Sequence, residues 1–161
     1  MNVSRYGIAL TAVCALFLGG CGLTSSPADD LTFAAPSGWQ PSPGILGFMQ
    51  FWQPAKSHDE MLMLFKSPKA IDIDQAFSSA KIRDARVSSK QHVTICGNES
   101  AVFVKGVAQS SVGSGPQTDH NLQMMTADAN GTTYFALYLY PLKARPNAQA
   151  VAALRELCPK H

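Results

Sequence analysis

The chain has 161 residues, 46% apolar and 15% charged, with 13 Lys and Arg against 11 Asp and Glu for a formal net charge of +2. Charge this sparse and mixed in sign offers no basic stripe for a phosphate backbone, which excludes nucleic acid as an expected partner. Once an N-terminal leader is set aside, about 140 residues remain, a length that suits one domain around one core.

Arg5 precedes an apolar run from Ile8 to Leu18, broken at Thr11, and the two read as the charged and hydrophobic regions of an export signal. The run is too short to span a bilayer. Gly19 and Gly20 leave room for a peptidase in front of Cys21, whose thiol is a nucleophile that a lipid can alkylate. The tetrapeptide Leu18-Gly19-Gly20-Cys21 resembles the bacterial lipoprotein signal at all four positions. The resemblance implies removal of residues 1–20, diacylglyceryl on the Cys21 sulfur and an acyl group on its new amine. Several acyl chains at about 0.8 kcal/mol per buried methylene hold a protein in a bilayer where one would be marginal. An ordinary secretory signal with a chance cysteine is the competing reading. Cleavage would remove Arg5 and leave 12 Lys and Arg against 11 Asp and Glu, a net of +1. Gly22 stands where an Asp would be the usual inner-membrane retention signal, so the same resemblance implies the outer membrane, facing the periplasm.

Residues 21–30 are the lipidated cysteine and a small, polar, flexible tether, and residues 31–161 are one globular domain. Leu31-Thr32-Phe33-Ala34 is a short alternating strand stopped by Pro36-Ser37-Gly38 before Trp39. Phe48 to Trp52 and Met61 to Phe65 are apolar runs of strand length, and the second, apolar on both faces, suits a covered central strand. Asp72 and Gln75 form a capping-box pattern before a helix whose Ile73, Ala76, Phe77 and Ala80 share a face. After Arg86 strands return: Val93 to Cys96, a Gly97-Asn98 turn, and Ala101 to Val104 form a hairpin. Ser110 to Thr118 is a loop, and His120 to Thr126 and Thr133 to Tyr140 flank Asn130-Gly131, a second hairpin signal. Pro146-Asn147 opens a last helix that puts Val151, Leu154, Leu157 and Cys158 on one side, with Arg155 and Glu156 outward.

Cys14 leaves with the signal and Cys21 takes lipid, so Cys96 and Cys158 remain as an even pair in an oxidising compartment and are expected to be bonded. Two buried free thiols are the rival reading. The absence of a CxxC pair disfavours a thiol-exchange enzyme.

A first strand running into Phe33-Ala34-Ala35-Pro36-Ser37-Gly38-Trp39, a helix after a central strand, a hairpin at Cys96-Gly97-Asn98 and a C-terminal helix resemble the PsbP-like superfamily. The resemblance covers about residues 31–158 and implies an α+β fold, an antiparallel sheet with helices packed on its faces in a PsbP-like α/β sandwich. It implies accessory or binding roles without a shared catalytic centre, so it assigns no functional residue.

No nucleophile with a base, carboxylate pair or phosphate-cradling loop stands at a recognised spacing, so no enzyme is expected. Gly113-Ser114-Gly115 has no strand before it and reads as a loop. Asp72 and Asp74 fall on different sides of their helix. His58-Asp59-Glu60 with Asp119-His120 offers metal-ligand chemistry, but solvated surface explains these residues better. Met61, Met63, Met124 and Met125 suit copper(I), yet packing is the plainer account. His92 and His161 have no evident partner. No metal or cofactor is therefore expected. The candidate recognition surface is aromatic: Trp39, beside Pro41, Pro43 and Gly44, with Phe48, Phe51 and Trp52. Closure of the core is the competing role for these side chains. The sequence thus points to a non-catalytic binding or assembly module, anchored to a lipid bilayer through Cys21 and open to an envelope protein partner. The alternatives are a small-ligand or copper binder and, further off, a hydrolase with an unrecognised site.

Overall fold

The computed structural model describes residues 26–42, 48–69, 71–79, 82–110 and 116–160. Seven antiparallel strands form the main sheet: β2 (Trp39–Ser42), β3 (Met49–Pro54), β4 (Met61–Ser67), β5 (Arg83–Ile95), β6 (Glu99–Ser110), β7 (Thr118–Ala129) and β8 (Thr132–Pro141). Their order across the sheet is β2-β3-β4-β8-β7-β6-β5. The sheet is therefore two meanders, β2 to β4 and β5 to β8, fused where β4 pairs with β8 from Met61 opposite Leu139 to Ser67 opposite Thr133. Helix α1 (Ile73–Ser79) lies between the meanders in sequence, and helix α2 (Ala148–Arg155) follows β8. The pairs Leu31 with Pro159 and Thr32 with Cys158 join β1 (Leu31–Thr32) to β9 (Cys158–Pro159).

The expected α+β sandwich is corrected by this architecture. Strands hold 56% of the described residues and helices 12%, so the molecule is an antiparallel sheet carrying two short helical patches rather than helical layers. One cause is the long β5, which takes up residues 83–92, a stretch with no strand pattern in the sequence. The other is that α2 stops at Arg155, after which the chain turns into β9; Cys158 sits on a strand, not on the helix.

The period-two geometry of the strands sorts their side chains onto two apolar faces. Leu62, Leu64, Ala101, Phe103, Met125, Ala127, Ala136 and Tyr138 face α2, where Ala150, Ala153, Leu154 and Leu157 meet them. Met61, Met63, Phe65, Val104, Leu122, Met124, Phe135 and Leu137 face the α1 side, covered by Ala76, Phe77 and Ile82. Strand β4 is fully buried from Met61 to Phe65 because both its faces are covered, as its unbroken apolar run implies. At about 1.5–3 kcal/mol for each fully buried large apolar side chain, these two faces supply the main driving force for folding.

Local signals fix the ends of the elements. The Gln75 N–H donates to Asp72 Oδ1 at 2.8 Å and the Asp72 N–H to Gln75 Oε1 at 3.3 Å, a reciprocal capping box on α1. Asn147 caps α2, its Oδ1 accepting from the Gln149 and Ala150 N–H groups at 2.9 and 3.2 Å. Asn130 and Gly131 take φ of 52° and 76°, the left-handed pair that a two-residue hairpin turn requires.

Candidate functional site

The four aromatic residues expected to share one recognition surface are divided by the sheet. Trp39 and Trp52 belong to the α2 face: Trp39 packs 6.2 Å from the Tyr138 ring and Trp52 5.0 Å from Phe33, with Trp52 buried. Phe51 belongs to the opposite face, and Phe48 stands 40% exposed in the turn before β3. Pro43 and Gly44 lie outside the described residues, as do Cys21 with the whole signal, Gly113-Ser114-Gly115 and His161.

The methionines are likewise separated. Met61, Met63 and Met124 are buried in the α1-side core and Met125 in the α2-side core, so the four sulfurs do not share one site. Among the described residues no three His, Cys, Asp or Glu side chains are grouped as a metal site. Glu60 accepts the Tyr138 hydroxyl at 2.6 Å, Asp119 faces Arg86 at 3.8 Å, and the Nδ1 of buried His120 is 2.9 Å from the Thr118 carbonyl. Glu60 and His120 are thus engaged in holding local structure.

Tyr138 is the polar hub of the α2 face. Besides donating to Glu60, its hydroxyl accepts the Asn147 N–H at 2.9 Å, tying the β8 strand to the loop that launches α2. Burial, and then the hydrogen bond to Glu60, keep this hydroxyl protonated well above the ordinary tyrosine value of 10.0. A side chain so held ties β8 to the start of α2.

Cys96 and Cys158 are joined by a disulfide with Cα atoms 5.5 Å apart. The bond ties the β5–β6 turn, where Cys96 and Gly97 take φ of 52° and 83°, to β9. Residues 26–30, expected in the tether, form a turn closed by the Asp29 N–H on the Ser26 carbonyl at 2.9 Å, and Asp30 pairs with Lys66.

What remains open is the β5 edge of the sheet. Nine of its thirteen residues are exposed, and among the described residues no strand lies beyond it, so there the backbone groups pointing away from β6 have no ladder partner. The opposite edge, β2, has four residues and includes Pro41, which has no N–H to offer. Strand β5 carries three cations, Arg83, Arg86 and Lys90, against one carboxylate, Asp84. On its neighbour β6, Lys105 Nζ lies 5.6 Å from the Phe103 ring centroid, and Arg155 of α2 lies 5.2 Å from the same ring. The Arg86–Asp119 contact is exposed on both sides and therefore weak. Among the described residues Arg83, Lys90, Lys105 and Arg155 make no ion pair, so the edge and the adjoining α2 face present positive charge.

The edge is regular over only part of its length. From Ser89 opposite Lys105 to Ile95 opposite Glu99 the register with β6 is continuous, whereas it shifts between Arg83 and Arg86 and again between Val87 and Ser89. Sequence reading misses most of this strand because a strand exposed on both faces has no apolar alternation. Residues 83–92 carry no signal of their own, and pairing with β6 makes them a strand.

No family model matches the chain, and no curated protein matches it. Among solved structures it is similar to the solution structure of cyanobacterial PsbP (CyanoP) from Synechocystis sp. PCC 6803, with 15% identity and a TM-score of 0.49. The similarity covers 77% of this chain and 85% of that one.

Proposed function

We propose that this chain is a lipoprotein of the bacterial envelope whose domain is a non-catalytic binding or assembly module. Residues 1–20 are its signal, acylated Cys21 its anchor and the periplasmic side of the outer membrane its station. The reading of the anchor rests on Leu18-Gly19-Gly20-Cys21. The binding role rests on one structural observation, the long, exposed, basic β5 edge in a sheet whose other edge is short and contains a proline. Its non-catalytic character is supported by the occupations of the reactive side chains, with Asp72 capping a helix, Glu60 pinned by Tyr138 and Asp119 beside Arg86.

The test is expression in a bacterial host fed a labelled fatty acid, followed by membrane fractionation and crosslinking in intact cells. Label in the native chain and none in Cys21→Ser, together with an envelope protein crosslinked to the anchored form alone, is the expected result. An unlabelled, freely released native chain overturns the anchor. Turnover of an ester or glycoside panel by the purified chain overturns the non-catalytic reading.

A further inference from the structure

We propose that the β5 edge between Ser89 and Ile95 takes up an extended acidic segment of a partner protein as an additional antiparallel strand. This deepens the binding-module reading and rests on it.

Three observations converge on this occupant. The first is geometric: Ser89 to Ile95 is the stretch of β5 paired without a register shift, so its outward N–H and C=O groups keep the even spacing that a docking strand needs. Seven residues at about 3.4 Å each give a docking length of about 24 Å. The second is the end stop. Beyond Ser89 the bulges turn the edge away, and Gly106 is what lets β5 close in there, since a Cβ at Gly106 would lie 2.4 Å from the Arg86 carbonyl oxygen. The third is charge. Lys90 stands within the regular stretch, Arg83 and Arg86 lie just beyond it, and Lys105 is opposite Ser89 on the next strand. Lys90, opposite Val104, stands on the α1-side face and Lys105, beside Phe103, on the α2-side face, so a carboxylate on either face of an added strand would have a cation within reach, where opposite charges stabilise and like charges oppose pairing.

The same charges decide against a second copy of this chain. Two β5 edges brought together would join strands that each carry three cations against one carboxylate, and lysines and bulges on an edge are the devices by which sheets avoid pairing with their own kind. An acidic strand meets no such opposition. Exposed Val87, opposite Gly106 and so without a cross-strand side chain, adds an apolar foothold at the end of the stretch.

The probe is an eight-residue peptide of alternating Glu and Val, added to the purified full chain and followed by amide hydrogen exchange and fluorescence anisotropy. Slowed exchange confined to amides of Ser89–Ile95, with affinity about tenfold weaker in the double variant Arg86→Glu, Lys90→Glu, is the expected result. The same peptide N-methylated at alternate residues, in both phases, should lose binding in the phase that blocks its inward N–H groups. Equal binding by a Lys and Val peptide, retained binding by both methylated forms, protection elsewhere in the domain, or no binding at millimolar peptide each overturn the proposal. So does a dimer in sedimentation whose formation protects the same amides. A photocrosslinker placed in cells at His92 and, separately, at Lys56 distinguishes this failure from that of the broader reading. Capture at Lys56 but not at His92 overturns the edge and spares the binding module; capture at neither overturns both.

Discussion

The carbonyl oxygen of Arg86 occupies the space where Gly106 would carry a side chain, 2.4 Å from an ideal Cβ. The other near atoms, the Arg86 carbonyl carbon at 3.1 Å and the Val87 Cα at 3.2 Å, are also backbone, so no side-chain rotation makes room. Gly106→Ala should force the bulged part of β5 away from β6 and destabilise the domain by about 1–3 kcal/mol. Denaturant unfolding measures the loss. Hydrogen exchange should show it concentrated at Arg86 to Ser89, with Val93 to Ile95 unchanged; a uniform response would contradict the local cause.

Tyr138 makes the domain sensitive to alkali. Its folded value is raised, so the stability it brings is fully present below about pH 10 and is lost as pH rises further, because the unfolded tyrosine ionises while the folded one keeps its proton. Tyr138→Phe should lower stability by about 1–3 kcal/mol at neutral pH by leaving Glu60 and the Asn147 N–H without this partner. The same variant should flatten the alkaline limb. Urea midpoints at about pH 8 and about pH 11 for both proteins decide it, and parallel slopes would sink the assignment.

Asn147 joins this hub to helix α2. Asn147→Ala removes the acceptor of two helix N–H groups and should cost about 1 kcal/mol. Because Asn147 and Tyr138 hold the same loop, the double variant with Tyr138→Phe should depart from additivity, which a double-mutant cycle measures directly.

The disulfide spans a sequence separation of 62 residues, and closing a loop of that size stabilises by about 4 kcal/mol in the chain-entropy view. Reductant, or Cys96→Ser with Cys158→Ser, should lower the thermal midpoint accordingly. Peptide mapping without reductant should recover the Cys96 and Cys158 peptides linked; alkylated free thiols at both would remove the basis of this expectation.

Elements announced by short-range chemistry were legible in the sequence. Asp72 with Gln75 marked the start of α1, Asn130-Gly131 marked the β7–β8 turn, and the apolar run Met61 to Phe65 marked a covered strand. Elements set by long-range pairing were not. Residues 83–92 become a strand because β6 offers them a ladder, β2 forms around a proline because β3 lies beside it, and Cys158 leaves the helix because β1 captures it. The aromatic cluster failed as a single surface for a related reason: adjacent residues such as Phe51 and Trp52 point to opposite faces once they lie in a strand. Of the candidate site only the end from Val93 to Ile95 was legible, since the exposed residues before it leave no periodic trace.

The pairing of β1 with β9 also has a mechanical meaning. Leu31 and Pro159 lie side by side, the Lys160 N–H donates to the Asp30 carbonyl at 2.9 Å, and one residue from Pro159 a covalent bond leads to the β5–β6 turn. A pull on the chain ahead of Leu31 is therefore taken up in shear by this small ladder and passed through Cys158 to the tip of the longest hairpin. The backbone beyond Thr32 carries the rest of the load to β2, so the two edges of the sheet, β2 and β5, share it.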